Sequence, residues 1–399
     1  MSADLRGRVL EEVDSLRDEI TRMGDYIHAN PELGYQERKA AERLTSELRR
    51  FGFEVEKGIH GMETAFRAEL PGRGPGPKVA LVAEYDALPP PIGHGCQHNL
   101  IAAMSVGAGM AMSGLMPELD GTLCVLGSPA EEGIVDGCGG KVLMIDEFRG
   151  MDAAMMIHPY DITTGGAPPT WNREGLEIEF QGAPANAGNA EDASRGVNAL
   201  EACMLFWSAV NAYRPHIREG ARVFGIITEG GTSPNIVPAR AVTRLQIRVP
   251  TYPYFLEVVE KVKNCARGAA LALGAQVKMR AYANRYLAFV PNHTLAAAYE
   301  RNLRSLGVTA EEPYKMGGVT DMGNVSHACP SIQPYLATAP RGTTWHSSEA
   351  AGLAVSQMGH DAAIVGAKAL CLTALDVFTG AVDVGKMRRE FEEARAGLT

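Results

Sequence analysis

From residue 78 to residue 158 short apolar runs alternate with helical stretches. KVALVAEY reads as a strand, NLIAAMSVGAGMAMSGL as a buried small-residue helix, GTLCVLGS as a strand, GGKVLMIDEF as a helix and MDAAMMI as a strand. Strands alternating with helices indicate βαβ units and a parallel sheet. In such a sheet the carboxyl ends of neighbouring strands line one crevice, where open α/β folds place their chemistry.

The flanking sequence extends this picture. Val9, Val13, Leu16, Ile20, Met23 and Ile27 mark one face of an amphipathic helix over residues 5–30, ended by Pro31. QERKAAERLTSELRRFGF reads as a second helix stopped by Gly52, and FEVEK and TAFRAEL as strands. After HPYDITTGGAPPTW the texture changes. REGLEIEFQG alternates strictly, and the chain then runs helix, strand, strand, helix, strand, the ferredoxin-like order. At 399 residues the chain exceeds what one core usually holds. The expected fold class is α/β: a catalytic domain from residues 1–171 and 289–399, with a mixed, largely parallel sheet, and an inserted ferredoxin-like α+β domain at 172–288.

Bulk properties exclude several classes. A net charge of −9 with no basic stripe gives no footprint for nucleic acid, and no apolar run is long enough to cross a bilayer. The charged start, MSADLRGRVLEEVD, lacks the apolar segment of a secretory signal, so a cytoplasmic location is expected. Seven scattered cysteines suit reduced thiols better than a disulfide framework. A small-molecule substrate is the expected partner.

Three strands end in groups able to ligate metal: Cys96 and His98 in PIGHGCQHNLIAAM, Glu131 and Glu132 in GSPAEEG, and His158 in MMIHPYD. Singly each has a bland reading, since a cysteine fills core, paired glutamates open a solvated helix, and a histidine sits satisfied in the interior. Jointly, thiolate, imidazole and carboxylate at three adjacent strand ends form a ligand set for a divalent ion. Adjacent glutamates suggest that one holds metal and the other takes a proton from water. GRGPGP at 72–77 precedes a strand and reads as a turn, not a phosphate cradle. His94 is near enough to the cluster to stay open.

With these motifs in place the chain resembles the aminoacylase and carboxypeptidase class of dinuclear metallohydrolases. Within it, the resemblance is to the amidohydrolase branch of aminobenzoyl-glutamate hydrolase and aminoacylase-like dipeptidases. IHANPELGYQE, LVAEYDALP, GHGCQHNLIAA, GSPAEEG, MMIHP, GIITEGGTSPNIVPARA, TDMGNVSHACPSIQPY and WHSSEAA carry the likeness, nearly end to end. It implies a zinc-peptidase-like catalytic domain with metal ligands Cys96, His98, Glu132, His158 and His346. It also implies Glu131 as general base and Asp86 as the acid that orients a ligand from behind. One or two divalent ions are implied, manganese first, with zinc, cobalt or nickel open. A homodimer through the inserted lid is implied as well.

Two departures bear on substrate. Gln97 stands where relatives have glycine, placing a bulky amide beside the metals. GAPANAGNA stands where relatives have a lid histidine, so Asn186 takes its place and offers an uncharged donor to an oxyanion. Asn235 lies in the SPNIVP segment that reaches toward the partner's active site in relatives, and Arg248 follows on a lid strand. The leading expectation is a metal-dependent hydrolase of the C–N bond of a small N-acyl amino acid, dipeptide or related amide. An aryl-amine aminohydrolase of the nitroanthranilate type, which forms no carbonyl oxyanion, is the alternative. A silent scaffold is a third reading.

Overall fold

The segment HNLIAAMSVGAGMAMS has no polar face to offer water, and only burial on all sides suits it. In the computed structural model, which describes residues 2–166, 168–312 and 317–396, it forms the helix His98–Ser113, buried from His98 to Met112. Its small residues admit close neighbours. A Cβ on Gly107 would stand 2.7 Å from Ile20 Cγ1 of the helix Arg17–Ala29.

In chain order the strands are β1 (Glu54–Lys57), β2 (Phe66–Pro71), β3 (Lys78–Glu84), β4 (Thr122–Ser128), β5 (Ala153–Met155), β6 (His158–Tyr160), β7 (Asn172–Gln181), β8 (Arg222–Glu229), β9 (Arg240–Val249), β10 (Gln276–Ala281), β11 (Ser331–Ile332) and β12 (Tyr335–Ala337). Packing divides the described residues into two units. One runs to Pro169 and resumes at 289–312 and from Thr320; the other holds Thr170–Ala288 and Gly317–Val319.

In the first unit the sheet order is β1-β2-β4-β3-β5-β11. The strands from β4 to β11 pair in parallel, and β1 and β2 join antiparallel at one edge. β6 and β12 form a separate parallel pair. Val79, Leu81 and Ala83 of β3 face a core shared with Leu100, Met104 and the helix Gln357–Phe378, whereas Ala80 and Val82 face Ile101, Phe148 and Met322. Burial on both faces explains why β3 reads as a continuous apolar run.

The second unit is a four-stranded antiparallel sheet, β10-β7-β9-β8, with the helices Ala199–Tyr213 and Tyr252–Leu273 packed on one face. Leu176, Ile178 and Phe180 of β7 face those helices. The alternate residues carry ion pairs on the other face, such as Glu177 with Arg244 and Arg280.

Two elements differ from the sequence reading. The first helix divides at Leu16 into Ser2–Ser15 and Arg17–Ala29. The Ser15 hydroxyl bonds the Glu12 carbonyl at 2.8 Å, the same acceptor the Leu16 amide uses at 3.0 Å, and such sharing bends helices. GGKVLMIDEF forms two single turns, Gly140–Leu143 and Ile145–Phe148. The seven cysteines are free thiols, and no helix among the described residues is long and apolar enough to cross a membrane.

Candidate metal centre

β3 lies between β4 and β5 in parallel register, so the chain leaving the three strands emerges side by side. Asp86, Cys96 and His98 follow β3, Glu131 and Glu132 follow β4, and His158 opens β6 just past β5. Pairing of His158 with Tyr335 of β12 brings in the later segment that carries His346.

The donor atoms converge. Those of Cys96, His98 and His158 lie within 4.8 Å of one another, and so do those of Cys96, Glu132 and His346, and of His98, Glu131 and Glu132. Cys96 Sγ is 3.8 Å from His158 Nε2, and Glu132 Oε1 is 3.9 Å from His98 Nε2 and 3.6 Å from His346 Nε2. Each inner imidazole is oriented from behind. His98 Nδ1 bonds Asp86 Oδ1 at 2.9 Å, and His158 Nδ1 donates to the Pro159 carbonyl at 2.7 Å. Asp86 Oδ2 also accepts the Glu132 amide at 2.9 Å, so one carboxylate sets two of the donors.

Burial raises the Cys96 thiol well above its usual range, and Glu132 adds to it. Burial opposes the charged form of His98, but Cys96 and Asp86 outweigh it and hold that imidazole well above its ordinary value. His158 is pushed down to about 4 by burial and by His98. Glu131 is held well above the carboxylate range by burial, then by Glu84, Glu132 and Asp321. Crowded negative charge and inward-facing lone pairs are what a divalent cation relieves.

The donor set fits such an ion. His98 Nε2 and Glu132 Oε1 are buried and have no hydrogen-bond partner, an expensive state for polar atoms unless something else binds them. Donors that each sit about 2 Å from one ion stand about 3–4 Å apart, as these two do.

The sequence pattern of the peptidase family M20/M25/M40 matches residues 80–370, which run from within β3 through all three ligand loops and His346. The chain belongs to this family. It is 34% identical to the Xaa-Arg dipeptidase of Mus musculus over 97% of this chain and 92% of that protein. It is 32% identical to a p-aminobenzoyl-glutamate hydrolase polypeptide of Escherichia coli over 74% of this chain and 64% of that one. A solved Bacillus subtilis protein, described as a dinuclear metal-binding peptidase of the M20 family, shares the fold. Its TM-score is 0.65 at 21% identity, covering 91% of this chain and 99% of that one. As an M20 enzyme the protein is a metal-dependent hydrolase of C–N bonds in small amides, and it uses a divalent ion.

Gln97 corrects the sequence reading. It is wholly buried, its amide donating to the Ala350 carbonyl at 2.7 Å and accepting from the Thr338 hydroxyl at 2.5 Å, so both ends of the amide are engaged within the fold. Asn186, Asn235 and Arg248 lie in the second unit. The segments of Asn186 and Asn235 pair antiparallel, Ala187 N donating to Asn235 O at 3.0 Å, and both side chains are exposed. Arg248 stands on β9 directly between Arg173 of β7 and Arg222 of β8, stacked on Phe224 at 5.2 Å. His94 packs toward His28, ring centroids 6.1 Å apart, outside the donor groups.

Sequence reasoning missed a buried ion cluster under the site. Lys141, without solvent exposure, pairs with Glu84 and with Asp321 Oδ1 at 2.6 Å, and its amide donates to Asp321 Oδ2 at 3.0 Å. Glu84 Oε2 is 3.7 Å from His98 Nε2. Burial pushes the Asp321 carboxyl up to about 6, against the pull of Lys141. A lysine in the apolar stretch GGKVLM, and the acid ending the apolar strand KVALVAE, were the available signals.

Proposed function

We propose that this M20 enzyme cleaves the amide bond of a dipeptide or N-acyl amino acid, with dipeptides ending in arginine the first class to try. The near full-length likeness to the mouse Xaa-Arg dipeptidase supports that order. The observation that carries the reading is the convergence of Cys96, His98, Glu132, His158 and His346 around buried, unpartnered donor atoms, with Glu131 beside them.

When bound, the divalent ions polarise the scissile carbonyl and acidify the attacking water. Glu131, its carboxylate beside the ligand Glu132, would take the proton of that water and return it to the leaving amine. Asp86 keeps the lone pair of His98 Nε2 turned inward and fixes the Glu132 backbone. Asn186 is our candidate oxyanion donor, and Asn235 and Arg248 are our candidate substrate-binding residues. Manganese is the ion we assign first.

The dimer is assigned to β8. This edge strand exposes Phe224, Ile226 and Ile227, and an apolar edge of this kind is usually covered by another strand. The cytoplasm is the proposed location, consistent with seven free thiols.

The test is mass-spectrometric product analysis after manganese-loaded enzyme meets a panel of dipeptides, N-acyl amino acids and substituted anilines. Carboxylate plus amine products are expected, with Xaa-Arg substrates foremost. Ammonium plus a phenol would replace this reading with aromatic deamination.

A further inference from the structure

Gln97 occupies a position that does not suit it. Its φ of 62° lies in the left-handed region that favours glycine. It stands at the N-cap of the helix His98–Ser113, where short polar side chains are favoured because they bond the helix's own amides, yet it makes no such bond. Its amide turns away from that helix and satisfies both ends elsewhere, on Ala350 O at 2.7 Å and Thr338 Oγ1 at 2.5 Å. Neither local conformation nor capping accounts for a bulky amide here. The segment it reaches does account for it.

That segment, 338–350, carries His346, the most exposed of the candidate ligands, with 52% of its side chain open to solvent. His346 has a positive φ of 58°, and its own amide donates to Gly95 O at 3.1 Å. The two loops approach so closely that a Cβ on Gly95 would stand 2.9 Å from Ser347 O. Contact between them is thus backbone to backbone at Gly95, and buried amide to backbone and hydroxyl at Gln97. Cys96 lies between these two contact points.

We propose that Gln97 is a positioning residue: its amide ties the loop bearing Cys96 and His98 to the segment bearing His346. In this way it sets how tightly the Cys96–Glu132–His346 donor group holds its ion. The inner group, Cys96–His98–His158, draws its orientation from Asp86 and Pro159 and depends less on this tie. The proposal rests on the two-ion hydrolase reading.

The test is stepwise cobalt(II) titration of the metal-free protein, following the thiolate-to-cobalt charge-transfer band for Cys96 and the stoichiometry by chelator competition. Wild type is compared with Q97G, which suits the backbone and deletes the amide, and with T338V, which removes the Thr338 half of the tie, keeps the Gln97–Ala350 bond and leaves residues 95–98 unchanged in sequence. Residues that orient ligands typically change metal affinity by roughly 10–100-fold when replaced. We expect both variants to bind the first ion like wild type and the second about 10–100-fold more weakly. Should Q97G not fold, T338V carries the comparison. Weakening of both ions in step, as a merely structural role would give, or of neither, overturns the proposal while leaving the hydrolase reading intact. Wild-type protein that binds fewer than two ions overturns the two-ion reading itself.

Discussion

Replacing Lys141 with methionine tests how the site's foundation is held. The ammonium is wholly buried between Glu84 and Asp321, and at 2.6 Å its attraction to Asp321 alone is about 6 kcal/mol at an effective dielectric near 20. Desolvating three charges offsets most of that gain, so the intact cluster adds little net stability. Deleting only the cation is different, because two carboxylates then remain buried without it. We expect K141M to destabilise the metal-free protein by about 3–5 kcal/mol at pH 8, measured by urea unfolding. The pH dependence follows from Asp321, whose carboxyl binds its proton more tightly folded, at about 6, than its ordinary 3.8. Stability from such a group is fully present below the unfolded value and lost as pH rises through the folded one. Removing Lys141 raises the folded value further, so the penalty of K141M is smaller at pH 5 than at pH 8. Neutralising the partners as well, in E84Q/K141M/D321N, recovers most of the loss. A K141M penalty under about 1 kcal/mol at pH 8, or one that grows toward pH 5, would refute this account.

Three further outcomes are expected. E131A lowers kcat by roughly 10²–10⁴ while metal content by atomic emission stays at the wild-type level; equal loss of metal would make Glu131 a ligand instead. Glu37, buried and bonded to Thr64 Oγ1 and the Ala130 amide, is raised to about 8 by burial and by Asp86, so folding loses stability as pH climbs from about 4.5 through 8. E37Q removes that titration, and its thermal midpoint should fall less than wild type's between pH 6 and 9. I226E on the exposed edge β8 should convert a dimer into a monomer in sedimentation, and a monomeric wild type would sink the dimer assignment.

The alternation of apolar strands and helices, the period-3.6 stripe from Val9 to Ile27 and the strict alternation of REGLEIEFQG each state a local burial pattern, and such patterns are legible without coordinates. So are strand ends bearing Cys96, Glu131 and His158, because a parallel sheet gathers the ends of adjacent strands whatever their distance along the chain. Gln97 was misplaced for the complementary reason. Proximity to Cys96 suggested a group facing substrate, but where an amide points depends on partners 241 and 253 residues away.

By itself, then, the order of residues determined the α/β class, the place where the chemistry gathers and the kinds of donor collected there, since burial periodicity and side-chain chemistry are local properties. Tertiary structure alone decided which buried charges compensate one another. Glu84, Lys141 and Asp321 come from three separate segments, and no local rule ties an ammonium to acids 57 and 180 residues away in sequence. It also decided that Asp86 steers two donors at once and that Gln97 turns its amide away from the crevice. A hydrogen bond's partner is set by three-dimensional proximity and by the exclusion of water, and neither exists until the chain has packed.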